Sequence, residues 1–167
     1  VRSDAMLRNE DEAISAAFTG AYQQKFDTRF MTDVASARTE GDNIVLELLP
    51  DGEDLRVDAV LVATGRIPNG DQLRLAEHGY EMDDAGYVVT DAHLRTTVDG
   101  VFALGDVTNP VQLKHVANHE ARVVAHNLSN PDSMIEVNHE LIPHAVFGHP
   151  QVASVGMTER QAAEAGI

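Results

Sequence analysis

The sequence predicts an α/β fold, and three segments carry that prediction. Residues 58–63, DAVLVA, form an almost continuous apolar run of the kind found in buried parallel strands. Residues 9–30 place apolar side chains at helical spacing, with acidic residues in the first turn. Residues 101–104 are typical of a short apolar strand, and a helical segment at 112–128 follows closely. Strands that alternate with helices in this way are typical of α/β proteins.

Short-range signals place the remaining elements along the chain. Other strands are predicted at 31–38, 43–49, 55–57, 88–90, 145–147 and 152–156. The turn signal PDG at 50–52 joins the second and third of these as a hairpin. A short helix at 73–78 is closed by Gly79, and a last helix begins after Thr158, which forms a capping box with Gln161.

The composition excludes several classes of site. The chain has 167 residues, a formal net charge of −15 and no cysteine. An acidic protein repels phosphate backbones, so we expect no nucleic-acid partner. Without cysteine these residues hold neither a disulfide nor a thiolate site, and no apolar run approaches the ~18 residues that a membrane span needs. The chain begins without methionine and stops just past a predicted helix, so we expect both ends to belong to a longer protein.

The most informative segment is TTVDGVFALGDV at 96–107, in which a short strand delivers Gly105 and Asp106 just before a helix. Open α/β sheets build ligand sites at such strand ends. The glycine allows a ligand to approach the backbone, and the aspartate accepts hydrogen bonds from hydroxyl groups. The alternative is an ordinary turn aspartate at the end of a strand.

Three motifs occur in one order along the chain: LVATGRIPN at 61–69, TTVDGVFALGDV at 96–107 and PHAVFGHPQVASVGMTERQA at 143–162. In this order and spacing they resemble the flavoprotein disulfide reductases, a family of FAD- and NAD(P)H-dependent enzymes. The resemblance covers essentially the whole chain. It implies part of an NAD(P)-binding Rossmann-like domain at 1–69, the returning segment of an FAD-binding Rossmann-like domain at 70–141, and the start of an α+β dimerisation domain at 142–167.

Within that family, ATGRIPNGDQL followed by QLKHVANHEARVV is most similar to the mycothione reductase branch. This implies a cytoplasmic homodimer in which NADPH reduces FAD, FAD reduces a cysteine pair, and that pair reduces the small-molecule disulfide of mycothiol. A mercuric or glutathione reductase-like member stays open, as does an inactive stand-alone binding module. The chain lacks GxGxxG, CxxxxC and a terminal His–Glu pair. We therefore assign no catalytic residue and expect cofactor-binding parts only.

The resemblance implies that FAD contacts the strand end and the start of the following helix. Asp106, with Gly105 before it, matches the aspartate that hydrogen-bonds the ribityl hydroxyls. Gln112, Leu113 and Lys114 open the helix, whose positive end would stabilise the reduced flavin ring. Lys114 adds a cation if its side chain faces inward; an exposed side chain is the alternative.

The resemblance also implies contacts with NADPH. Arg2 and Arg8 match arginines that bind the adenosine 2′-phosphate, a group that guanidinium side chains bind well. Because NAD lacks this phosphate, the two arginines disfavour an NAD-linked dihydrolipoamide dehydrogenase. Gly65 matches a glycine whose backbone lies against the nucleotide, and Ala145 a position that touches the nicotinamide edge through its backbone. A solvated arginine pair and a plain turn glycine are the alternatives.

The histidines of the long helical segment do not predict a metal site. His115 and His119 lie four residues apart and share a helical face, but no third ligand is suitably spaced. We expect packing or hydrogen-bonding roles for them and no bound metal.

Overall fold

The computed structural model describes residues 1–167 and has the expected mixed α/β class. Its elements are α1 (Glu12–Gln23), β1 (Asp33–Glu40), β2 (Asn43–Leu49), β3 (Glu53–Val57), α2 (Lys114–Ser129), β4 (His144–Val146), β5 (Val152–Ser154) and α3 (Glu159–Glu164), with 3₁₀ turns at Ala76–His78 and Gly105–Val107. The chain forms two compact units. The first unit comprises Val1–Ala63 and Pro143–Ile167, and the second comprises Thr64–Ile142.

The first unit contains a three-stranded antiparallel sheet in the order β1-β2-β3. The central strand β2 buries Val45 and Leu48. Because successive side chains of a strand point to opposite faces, these two side chains lie on different faces of the sheet, and the burial of β2 does not follow the alternation expected of a half-buried strand. Polar outer strands flank it, and Arg38 of β1 pairs with Asp54 of β3 across the face that carries Val45. The predicted bounds of β2 are confirmed.

Helix α1 and the β4–β5 hairpin also belong to the first unit. Asp11 caps α1 by accepting a hydrogen bond from the Ala13 N–H, and Phe18 is the buried aromatic side chain of the helix. A Cβ at Gly148 would lie only 2.8 Å from the Phe18 ring, so the loop between β4 and β5 packs closely on the helix. The predicted capping box of α3 is present in both directions, from Thr158 and from Gln161.

The second unit packs around α2. Its core is formed by Leu94, Val123 and Val124, with Phe102 and Leu104 packed against them. The 3₁₀ turn at Gly105–Val107 lies directly on α2. The short helix predicted at 73–78 is a 3₁₀ turn that Gly79 ends in the left-handed conformation.

The prediction of a buried strand at 58–63 is wrong. The segment forms no strand, and Leu61 and Val62 are 90% and 76% exposed. A parallel strand is buried only between neighbouring strands and covering helices. No strand of this chain pairs with the segment, so its apolar pattern is not matched by burial within these 167 residues.

Two further strands are reduced to single bridges. The segment at 101–104 contributes only a pairing of Phe102 with Arg95, and the segment at 88–90 only a pairing of Val88 with Met82. Neither pairing continues into a ladder. No helix of the structure has the length and apolar character that crossing a membrane requires.

Candidate functional site

The centre of the candidate site is the Gly105–Asp106 turn. Gly105 has φ +75°, a conformation that favours glycine. A Cβ there would lie 3.3 Å from the Cβ of Ala117 on α2, so the turn approaches the helix closely. Thr108 fixes the other side of the turn, because its N–H and its hydroxyl both donate to the Gly105 carbonyl. The backbone is thus held while the Asp106 side chain remains half exposed.

Arg66 joins two of the predicted site segments. Its guanidinium lies 3.3 Å from the Asp106 carboxylate and donates to the Gln112 carbonyl oxygen. Its Nε also lies 3.4 Å from the Gln112 side-chain oxygen. The loop at 64–66 therefore contributes a cation to the same place as the carboxylate and the start of α2. Arg66 is itself largely exposed.

The start of α2 lies beside this cluster. Gln112 has φ +51°, Leu113 is the N-cap residue in an extended conformation, and Lys114 is the first helical residue. Leu113 provides no side-chain cap, so the positive end of the helix is not neutralised there by a carboxylate or hydroxyl from the N-cap. The Lys114 side chain is exposed. The helix predicted to begin at Gln112 therefore begins at Lys114, and its start lies beside the Gly-Asp turn.

These features suit a ligand that combines hydroxyl and anionic groups. The Asp106 carboxylate accepts hydrogen bonds, Arg66 supplies positive charge, and the start of α2 supplies the positive end of a dipole. Gly105 itself is buried against α2, so it shapes the turn that presents Asp106 rather than offering an open backbone surface. A flavin nucleotide, with its ribityl hydroxyls and pyrophosphate, fits this set of groups.

A buried glutamate of α2, which the sequence motifs do not indicate, supports the Gly105–Asp106 turn. Glu120, in the middle of α2, is 0% exposed and accepts a hydrogen bond from the Gly105 N–H at 2.5 Å. The helical spacing of the sequence could have indicated it, because Glu120 lies on the same helical face as the buried Val116, Val123 and Asn127. A glutamate on an apolar face predicts a buried, partnered carboxylate.

The residues predicted to bind NADPH are not brought into one cluster. Arg2 forms an ion pair with Asp33 at 3.0 Å and is 78% exposed, whereas Arg8 lines a groove with residues that include Arg160. The N–H of Val34 and the Arg2 guanidinium together hold the pKa of Asp33 below its usual value. The two guanidinium groups are both accessible, as phosphate binding requires.

The other two predicted positions are also accessible. Gly65 has φ +119° and open space where a Cβ would stand, so its backbone is available to a ligand. Ala145 is an exposed residue of β4 and pairs with Ala153 of β5. Arg2, Arg8 and Ala145 belong to the first unit, and Gly65 belongs to the second.

A second buried carboxylate joins the two ends of the first unit. The side chain of Glu10, which is 8% exposed, lies 2.5 Å from the His144 imidazole and accepts a hydrogen bond from the Ser154 hydroxyl. Burial alone would raise the pKa of Glu10, but the hydrogen bonds from Ser154 and His144 outweigh it, and the pKa is lowered. The contact ties the start of α1 to the β4–β5 hairpin, next to Ala145.

The lowered pKa predicts a specific change in acid stability. A carboxyl with a depressed folded-state pKa stabilises the fold above its usual value of 4.5, and this contribution disappears as pH falls through the folded value. We expect Glu10→Gln to lower stability at neutral pH by about 1–3 kcal/mol, because a charged hydrogen-bond acceptor is lost. The difference should shrink as the pH falls below 4.5.

Thermal unfolding of the parent and the variant between pH 3 and pH 7 measures this effect, with the exposed Glu12→Gln as control. If the unfolding temperature of Glu10→Gln differs from that of the parent by the same amount at every pH in this range, the carboxylate has no such role.

A family model described as pyridine nucleotide-disulphide oxidoreductase matches residues 1–121. The chain belongs to this family. Mycothione reductase of Mycobacterium tuberculosis is 43% identical over 171 residues, and dihydrolipoyl dehydrogenase of Bacillus subtilis is 33% identical over 168. The aligned regions cover 100% and 98% of this chain, but only 37% and 35% of those proteins.

A solved structure with the same fold is the HOCl-induced flavoprotein disulfide reductase of Escherichia coli, with a TM-score of 0.86 at 27% identity. That alignment covers 99% of this chain and 38% of the other. The family and the fold class implied by the sequence motifs are thus confirmed, and the chain spans little more than a third of the length of the relatives that it matches.

Proposed function

We propose that this chain is the middle part of an FAD-dependent, NADPH-linked disulfide reductase whose substrate is the disulfide of mycothiol. The observation that carries the proposal is the Gly105–Asp106 turn, held on α2 beside the helix start and Arg66. The 43% identity to a mycothione reductase supports the choice of substrate. In this proposal residues 1–69, 70–141 and 142–167 belong to the NADPH-binding, FAD-binding and dimerisation domains.

The proposed role of the second unit is to hold FAD, which supplies hydride acceptance and electron transfer when bound. Asp106 accepts hydrogen bonds from ribityl hydroxyls, and Gly105 gives the turn the positive-φ conformation that presents this carboxylate. The start of α2, at Leu113 and Lys114, places the positive end of a helix dipole where negative charge develops on reduction. Arg66 keeps the Gln112 loop in place through the Gln112 carbonyl.

The proposed role of the first unit is to bind NADPH and to form part of a homodimer. Arg2 and Arg8 would hold the adenosine 2′-phosphate, Arg2 leaving Asp33 to do so. Ala145 would contact the nicotinamide edge through its peptide, as Gly65 of the second unit would contact the nucleotide. The dimer proposal is supported by large apolar side chains exposed around the hairpin, namely Phe147, Val155 and Met157. We propose a cytoplasmic location, which the resemblance in sequence implies.

The substrate is tested by steady-state kinetics of the full-length protein. We expect NADPH-dependent reduction of mycothiol disulfide with a kcat/KM well above those for glutathione disulfide and lipoamide. Higher kcat/KM with glutathione disulfide would overturn the mycothiol assignment in favour of a glutathione reductase-like enzyme. If a flavin-loaded protein reduces none of the three disulfides, the reductase proposal is contradicted and a binding role replaces it.

A further inference from the structure

Glu120 is the most completely enclosed charged side chain of the second unit, and three donors converge on it. The Gly105 N–H donates to Oε2 at 2.5 Å, while Asn109 Nδ2 and His139 Nε2 each lie 2.8 Å from Oε1. The side chain is 0% exposed. These donors come from the turn, from the loop before α2 and from the segment after α2, so one carboxylate fixes three parts of the chain.

The chemistry of the three donors requires a carboxylate. An ionised carboxylate has only acceptor sites, so both oxygens can receive hydrogen bonds at once. Glutamine is nearly the same size, but one end of its amide is a donor. In a Glu120→Gln variant the amide NH₂ must therefore face either the Gly105 N–H or the donors from Asn109 and His139. In either orientation, the NH₂ group faces a buried N–H donor, and that donor is left without an acceptor.

The bond to Gly105 controls the direction of the next side chain. The Gly105 N–H is held by Glu120, its carbonyl is held by Thr108, and its φ of +75° leaves little freedom between them. Ala117 blocks movement of the turn toward the helix. Asp106 follows directly, and its side chain is paired with Arg66 rather than with the donors that hold Glu120. Glu120 can therefore orient the Asp106 carboxylate through the backbone of the turn.

We propose that Glu120 is a positioning residue for flavin binding, which fixes the Gly105–Asp106 turn so that the Asp106 carboxylate is preorganised for the ribityl hydroxyls. This inference rests on the proposed function and deepens it. His139 and Asn109 act with Glu120 by holding its other oxygen. Preorganisation of this kind lowers the cost of ordering the site when the ligand binds.

The test is a double-mutant cycle in the full-length protein with FAD affinity as the readout. Glu120→Gln, Asp106→Ala and the double variant are prepared as apoproteins, and the Kd for FAD is measured by fluorescence titration. We expect Glu120→Gln alone to weaken FAD binding by about tenfold. In the Asp106→Ala background the same change should weaken it by less than about twofold, because the residue it positions is gone. Glu140→Gln, an exposed glutamate of the same unit, is the control.

Thermal unfolding of the same apoproteins separates positioning from general support of the fold. Glu120→Gln should lower the unfolding temperature equally in both backgrounds, whereas its effect on FAD affinity should depend on Asp106. An equal loss of FAD affinity in both backgrounds, or no loss in either, would overturn the inference. An unchanged FAD affinity in Asp106→Ala alone would instead contradict the proposed function.

If Glu120→Gln does not fold, His139→Ala provides the same cycle with a milder change, because the His139 side chain is 37% exposed. We expect a several-fold weakening of FAD binding that again disappears in the Asp106→Ala background. A loss of affinity that persists in that background, or an unchanged affinity, counts against the positioning role.

Discussion

Replacement of Asp106 by alanine is expected to weaken FAD binding by roughly ten- to a hundredfold, since a hydrogen-bonded hydroxyl that loses its acceptor costs about 1–3 kcal/mol. The fold should tolerate the change, because the carboxylate is half exposed and its ion pair with Arg66 is a surface pair of small energetic value. The measurement is the flavin-to-protein ratio of the full-length protein after gel filtration.

Asp132→Ala is the matched control for this experiment, because Asp132 is an exposed aspartate of the same unit. It should retain flavin like the parent protein. If Asp106→Ala also retains a full complement of flavin, Asp106 does not bind the ribityl chain and the main contact proposed for this unit is lost.

Simultaneous replacement of Arg2 and Arg8 by alanine is expected to reduce the preference for NADPH over NADH by at least about tenfold, because charge-assisted hydrogen bonds to the 2′-phosphate contribute about 1.5–3 kcal/mol each. The change should appear in KM for NADPH and leave NADH almost unaffected, since NADH lacks the phosphate. Because both side chains lie on the surface of the first unit, we expect the two substitutions to change the free energy of unfolding only slightly.

Arg74→Ala is the control for the arginine pair, because Arg74 is an exposed arginine that pairs with Glu77 on the surface. The ratio of the kcat/KM values for NADPH and NADH is the quantity to compare. A ratio in the double variant equal to that of the parent would remove the phosphate-binding role from both arginines.

Elements with a complete local signal could be predicted closely from the sequence. β2 has the predicted bounds, and the turn at residues 50–52 pairs it with β3 as the sequence indicates, although its burial does not alternate. The α3 capping box and the left-handed Gly79 depend on residues a few positions apart and are present as predicted. The strand prediction at 58–63 was wrong because it depended on more than the local sequence. An apolar run of this kind forms a buried strand only when other strands pair with it, and no strand of this chain does.

The candidate site also has features that the local sequence predicts and features that depend on distant residues. The Gly105–Asp106 turn and the start of α2 follow from a motif that is continuous in sequence. The role of Glu120 depends on His139, nineteen residues away, and that of Glu10 on His144, more than a hundred residues away. Neither partner could be inferred from periodicity. Likewise, nothing in the local sequence indicates that Arg66 lies beside Asp106, because that pairing is made by the packing of loops against α2.

We propose that this chain carries the flavin- and NADPH-binding parts of a disulfide reductase. The visible absorbance spectrum of the purified full-length protein, recorded before and after anaerobic addition of NADPH, is the test of this proposal. We expect the two-band spectrum of bound oxidised flavin, which NADPH bleaches and which the disulfide substrate restores. A protein that purifies without flavin and does not take up added FAD, or whose bound flavin is not reduced by NADPH, would contradict the claim.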